Sequence, residues 1–203
     1  MGISERKERE REEMKTMITT AAMKMFLEDG YAKTSIRNIA DAIEYSPGTI
    51  YLYYKDKDEL LFEVQGQAYL KLLEAFKQNV TSTDPLEKLE QLGKTYVSFG
   101  LANPELYDLM FIIRAPTNVD ETTHGHNGDA TFNYLINLIE ECIQADLLIF
   151  KSANQAALQI WSMAHGLVSL NLRCRLKVMI PEEASIPEIL HKAIEEYLLS
   201  IRA

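Results

Sequence analysis

Apolar residues recur along this chain in steps of three and four, and strict polar–apolar alternation is nearly absent. That spacing predicts helices almost throughout, because it lines up one face of a 3.6-residue turn. The first stripe comprises Met14, Met17, Ile18, Ala21, Ala22, Met25 and Phe26, and Asp29-Gly30 closes it. Thr34 or Ser35 can cap a second helix that buries Ile36, Ile39, Ala40 and Ile43. Ser46-Pro47 opens a third, with proline at the first helical position, where its missing N–H costs nothing. Asp56 and Glu59 read as a capping box for a long fourth helix reaching about Val80.

The same grammar continues beyond. Asp84-Pro85 with Glu87 opens a helix to about Ala102, and Asn103-Pro104 a shorter one ending near Arg114. Ala115 to Gly128 is the longest loop. Helices follow from Asp129 to Ala145, Ser152 to Lys177 and Ser185 to Ile201, the last with Ser185 and Glu188 as a capping box. The expected fold is all-α with nine helices: a small head over residues 1–60, joined through the fourth helix to a larger body over 61–203. The boundary is placed inside that helix rather than at a flexible linker.

Hydrophobic residues make up 47 % of the chain, enough for a real core. There is no run of some 18 apolar residues that would cross a membrane. MGISERKEREREEMK lacks the apolar stretch of a signal peptide, so the expected location is the cytoplasm. Cys142 and Cys174 both fall within helical patterns and read as small buried hydrophobes. No CxxC and no metal-type Cys/His spacing occurs. His124 and His126 stand near Asp120, Glu121 and Asp129, but in a Gly-containing loop they read as solvated rather than as metal ligands. No cofactor is expected.

The segment with chemistry to explain is Thr34 to Leu60. With Ile50 and Tyr54 turned onto Ile39, Ala40 and Ile43, the third helix leaves Pro47, Gly48, Thr49, Tyr51 and Tyr53 outside. A short exposed helix braced by another is how a small domain reaches base edges in a DNA groove. Gly48 lets backbone approach closely, and Thr49 can bond a base or meet a thymine methyl. Tyr51 and Tyr53 can bond phosphate, and Lys57 adds charge near a helix N-terminus. Arg37 is long enough to reach a base or phosphate from the preceding helix.

The net charge of −9 does not oppose this reading. Residues 1–57 carry ten basic and ten acidic side chains, so the whole excess lies in residues 58–203. The mixed run from Glu5 to Glu13 is expected to be a solvated helical extension or a frayed tail. A basic arm toward DNA through Arg6, Lys7, Arg9 and Arg11 is the alternative, opposed by the interleaved glutamates.

On these residues the head resembles that of the TetR family of dimeric, ligand-responsive transcription repressors. Ala22, Phe26, Gly30, Tyr31, Thr34, Ile39, Ala40, Ser46, Gly48, Thr49, Tyr51, Tyr53, Lys55, Lys57 and Leu60 fall where that pattern expects them. The resemblance implies DNA contacts from Thr34, Ser35, Arg37, Ser46, Pro47, Gly48, Thr49 and Tyr51, with Tyr53 and Lys57 on phosphate. Four positions depart from it. Glu44 stands where the turn usually has Gly, at a cost on the order of 1 kcal/mol if φ is positive there. Tyr45 and Tyr54 replace a small aliphatic and a Phe, and Leu52 replaces a frequent polar residue.

The resemblance also implies a body that dimerises and encloses an inducer pocket. Trp161, His165 and Gly166 resemble the W-x-x-x-H-G signature of one subgroup. Either Gly166 permits close packing with His165 in a core or interface, or Trp161 and His165 line the pocket with one polar anchor. Tyr96, Phe99, Tyr107, Met110, Phe111 and Arg114 are the other pocket candidates. Arg114 would pair with an anionic ligand or with a helix C-terminus. The last two helices, with Leu167, Leu170, Leu190, Ile194, Tyr197 and Leu198, resemble the family's four-helix dimer interface.

The expected function is a homodimeric regulator, a repressor on palindromic double-stranded operator DNA released by a small-molecule inducer, with no membrane partner. An all-helical enzyme or a protein-interaction module without DNA binding is the alternative. An enzyme needs a nucleophile–base pair, a carboxylate pair or a phosphate loop, and none appears at recognisable spacing. Glu140-Glu141 and Glu195-Glu196 diverge on their helices. An interaction module leaves the Thr49, Tyr51 and Tyr53 surface unexplained.

Overall fold

The computed structural model describes residues 3–114, 128–179 and 185–203. Among them are nine α-helices and no strand: α1 (Ile3–Glu28), α2 (Ile36–Ala42), α3 (Pro47–Tyr51), α4 (Lys57–Asn79), α5 (Pro85–Ala102), α6 (Pro104–Phe111), α7 (Asp129–Gln144), α8 (Ala153–Leu172) and α9 (Ile186–Ser200). A 3-10 turn, Leu176–Val178, follows α8. The all-α expectation holds. No helix of the described residues is long and apolar enough to cross a membrane.

Most starts lie where the caps predict. Ser35 and Asn38 form a reciprocal box on α2, and Ser46, Asp84 and Ser152 each accept the N3 amide of α3, α5 and α8. Asp56 accepts from the Glu59 amide at 2.9 Å, while the Glu59 carboxylate takes the N–H of Lys55, one residue further out than a capping box requires. Ser185 stands at the N-cap of α9 but makes no side-chain cap bond, so no box forms there.

Helix ends were harder to see. α8 stops at Leu172 rather than Lys177, because Cys174 takes φ +55°. The Cys174 N–H then reaches Asn171 O, and the Arg175 N–H reaches Leu170 O, both at 2.8 Å. This is a Schellman stop without the usual glycine. Cys174 is therefore exposed rather than buried, whereas Cys142 is buried. α6 ends at Phe111, short of Arg114, as the Ile113 N–H bonds back five residues to Asp108 O. The charge run before Met14 is part of α1 and exposed.

Two compact units divide the described residues, and the boundary falls within α4, after Tyr69. The first holds α1–α3, the start of α4 and α6. Its core gathers Ile18, Ala22 and Phe26 with Ile36, Ile39, Ala40, Ile50, Leu60 and Val64. Two α4 side chains satisfy the terminal carbonyls of α6: Gln65 Nε2 donates to Leu109 O at 2.8 Å and the Tyr69 hydroxyl to Met110 O at 3.1 Å.

The second unit is built around α5, which packs against α7, α8 and α9. Leu89, Leu92, Tyr96 and Val97 of α5 are buried, as are Leu190, Ile194 and Leu198 of α9. Those three α9 residues thus belong to the core of one chain, which corrects their expected place in an interface between chains. On the surface Lys88 pairs with Glu141 at 2.7 Å, and Lys94 bridges Glu90 and Glu195.

Candidate nucleic-acid interface

The exposed helix α3 is set by the turn before it. Ile43 caps α2, Glu44 takes φ +61°, and the Tyr45 N–H returns to Ala40 O at 2.9 Å while that of Glu44 reaches Asp41 O. This Schellman closure requires a left-handed residue at position 44. The turn keeps its shape and Glu44 carries the strain, on the order of 1 kcal/mol.

Beyond it, Ile50 is fully buried and Tyr54 nearly so, and both face the unit's core. Gly48, Tyr51 and Leu52 are exposed; Pro47, Thr49 and Tyr53 are half-buried. A Cβ on Gly48 would meet only Ser46 Oγ, at 3.5 Å, so no neighbour within the chain demands glycine there. Ser46 and Thr49 share a hydroxyl contact of 3.1 Å at the start of α3. Arg37 is exposed on α2, as is Ser35, which caps it.

Two predicted contact residues have internal duties. Thr34 is 2 % exposed and its hydroxyl donates to Gly30 O at 3.0 Å, tying off the end of α1. Lys57 Nζ donates to Tyr31 O at 2.9 Å and Thr34 O at 3.0 Å and stands 4.1 Å above the Tyr31 ring. The Tyr31 hydroxyl in turn donates to Asp58. Burial, then that bond, pushes the Tyr31 phenol well above its ordinary pKa. Lys57 thus braces the α1–α2 connection onto α4. Sequence reading missed this clasp, since its partners are some two dozen residues apart and carry no shared periodicity.

In the second unit the structure brings Tyr96, Trp161 and His165 together. Trp161 Nε1 donates to the Tyr96 hydroxyl at 3.2 Å, and that hydroxyl lies 3.3 Å from His165 Nδ1. An indole N–H only donates, so Trp161 is the donor in the first contact, while the donor in the second follows the tautomer of His165. Burial lowers the His165 pKa, keeping the ring neutral. Phe132 packs edge-on against Trp161. Phe99 lines an open groove of about 470 Å³ with Asn79, Gln91 and Lys94. Tyr107, Met110 and Phe111 lie in the first unit, where Phe111 contacts Tyr107 and Tyr69, and Arg114 there is exposed. His124 and His126 lie outside the described residues; among those described, no group of three or more His, Cys, Asp or Glu could hold a metal.

The geometry agrees with two sequence matches. Residues 18–64 match the model for bacterial regulatory proteins of the tetR family, and residues 89–196 that of the tetracyclin repressor-like C-terminal domain. The chain belongs to the TetR family. Its α2–α3 pair is accordingly the DNA-binding helix-turn-helix of a transcriptional regulator, not part of an enzyme. Among curated proteins it is similar to the HTH-type transcriptional regulator HbdR of Aromatoleum, 36 % identical over 83 residues, 38 % of this chain and 34 % of that protein. It is also 33 % identical over 73 residues to the fatty acid metabolism regulator protein of Bacillus subtilis, 34 % of this chain and 38 % of that one. These alignments span little more than a third of each relative. The TetR fold itself extends over nearly the whole chain. A Rhodococcus protein of unknown function superposes with a TM-score of 0.76 at 21 % identity, covering 93 % of this chain and 95 % of that one. A Marinobacter aquaeolei TetR family regulator gives 0.70 at 21 %, covering 96 % and 98 %.

Proposed function

We propose that this regulator is a homodimeric repressor that binds a palindromic operator through α3 and leaves it when a small molecule binds the body. The observation that carries the reading is the split of α3, with Ile50 alone fully buried and Gly48, Tyr51 and the half-exposed Thr49 turned outward, followed just past its end by the half-exposed Tyr53. A dimer would set two such helices in successive major grooves, about 34–36 Å apart. Arg37, Ser35, Ser46 and Pro47 flank them, and Lys57 acts chiefly by holding the frame.

The exposed side of α8 and α9 supports self-association. Leu158, Leu170 and Leu199 are exposed, Leu167 and Tyr197 half-buried, and a Cβ on Gly166 would meet nothing within 4 Å. A second copy would cover that open glycine face. For the inducer, the neutral Tyr96–Trp161–His165 chain beside Phe132 favours a largely apolar molecule with one polar end. Release requires that this molecule bind the DNA-free state more tightly than the DNA-bound state.

Selection from a randomised duplex library followed by gel-shift tests the reading. Enrichment of an inverted repeat bound by two copies supports it; failure to enrich any duplex sinks it.

A further inference from the structure

Ile50 is the fully buried residue of α3, and the side opposite it is the part of the helix that protrudes furthest. Leu52 caps α3 with helical backbone angles, φ −74° and ψ −18°, so the helical spacing carries on to it. At about 100° per residue, Gly48 and Leu52 each fall within roughly 20° of the direction opposite Ile50. Tyr51 lies about 80° to one side of that line and Thr49 about 80° to the other. The outermost ridge of α3 therefore runs from Gly48 to Leu52, about 6 Å along the axis, and carries no polar side-chain atom.

This ridge stands open. Leu52 is 79 % exposed, and a Cβ on Gly48 would meet only Ser46 Oγ, so the leucine is not folded back over the glycine. A single exposed leucine on an ordinary surface needs no explanation. Here it projects from the outer helix of a DNA-binding helix-turn-helix, between the exposed Tyr51 and the half-buried Thr49. The resembled pattern frequently has a polar residue at this position, so the apolar ridge belongs to this chain.

We infer that Leu52 is a specificity-determining residue that reads the C5 methyl group of a thymine in the major groove. Gly48 gives the ridge the clearance to approach. This rests on the operator-binding reading above. Of the base edges in that groove only thymine's carries an apolar group. Against any other base the leucine would strip water from donors or acceptors that it cannot bond, which is unfavourable. Tyr51 and Thr49 keep the hydrogen-bonding contacts on either side. Each half-site of the operator then has one thymine recognised by its methyl group.

The test uses the full chain and a duplex selected from a random library, each thymine being replaced in turn by deoxyuridine, which lacks only that methyl. One replacement should weaken binding roughly fourfold, the worth of one buried methyl group, and about fifteenfold when made in both half-sites. Leu52→Ala should melt like the unaltered protein, bind the thymine duplex more weakly, and show little further effect of the same replacement. Leu52→Met should retain the methyl dependence, and so should Tyr51→Ala on a weaker background. An undiminished methyl effect in Leu52→Ala would overturn the inference and leave operator binding intact, and so would a selected operator without any methyl-sensitive thymine. Absence of binding by the unaltered protein would instead overturn operator binding and, with it, this contact.

Discussion

Gly93 of α5 lies so close to Ile194 of α9 that a Cβ at position 93 would come within 2.7 Å of Ile194 Cγ2. Ile194 is 3 % exposed, so its branched side chain has little room to retreat. Gly93→Ala should therefore destabilise the protein by about 1–3 kcal/mol, despite the higher helix propensity of alanine. Denaturant unfolding of G93A, I194A and the double variant checks this. Overpacking predicts that the double variant loses less than the sum of the two.

The DNA face contains two kinds of residue that alanine substitution separates. Tyr51→Ala removes an exposed ring and should weaken operator binding by about tenfold or more, on the order of 1–3 kcal/mol, with the melting temperature unchanged. Lys57→Ala frees two carbonyls and the Tyr31 ring, so binding and thermal stability should fall together. A Lys57→Ala protein that melts normally would return Lys57 to a purely phosphate-facing role.

Two positions in the head are suboptimal for stability and can be improved. Tyr54 is buried with its hydroxyl unpartnered among the described residues. Tyr54→Phe should raise stability by about 1 kcal/mol, by removing an unsatisfied buried oxygen. Glu44→Gly should relieve the left-handed strain by a similar amount, less the added flexibility of the unfolded chain. Each kcal/mol corresponds to about 2–4 °C in melting temperature for a chain of this size.

His165 makes stability depend on mild acid. Its folded pKa lies below the ordinary value of 6.5 because burial disfavours the imidazolium. The unfolded chain therefore takes up a proton first, and the contribution is lost as pH falls below that value. His165→Gln should flatten the fall in stability between neutral pH and about pH 5, the range in which an ordinary imidazole titrates. Trp161 is the only tryptophan, so its emission reports the same site directly.

Much of the fold was legible because helix starts are written locally. Ser35, Ser46, Asp84 and Ser152 each cap within three residues of themselves, and the apolar period names the buried face. Ends that use Glu44 or Cys174 in a left-handed conformation carry no such mark, so α8 reads five residues too long. The exposed α3 surface was legible for the same local reason. The assignment of Lys57 to internal bonds was not, because its carbonyl partners, Tyr31 and Thr34, lie 26 and 23 residues back along the chain.

By itself, then, the sequence determined the nine helices seen among the described residues, the helix-turn-helix and the residues that α3 turns outward, since each follows from spacing within a few turns. Only tertiary structure decided that Leu190, Ile194 and Leu198 are core, that Gly93 is a contact point, and that Tyr96, Trp161 and His165 join in one hydrogen-bonded chain. Those relations link residues tens of positions apart. They depend on which helix faces pack together, which hydrophobic period alone leaves open.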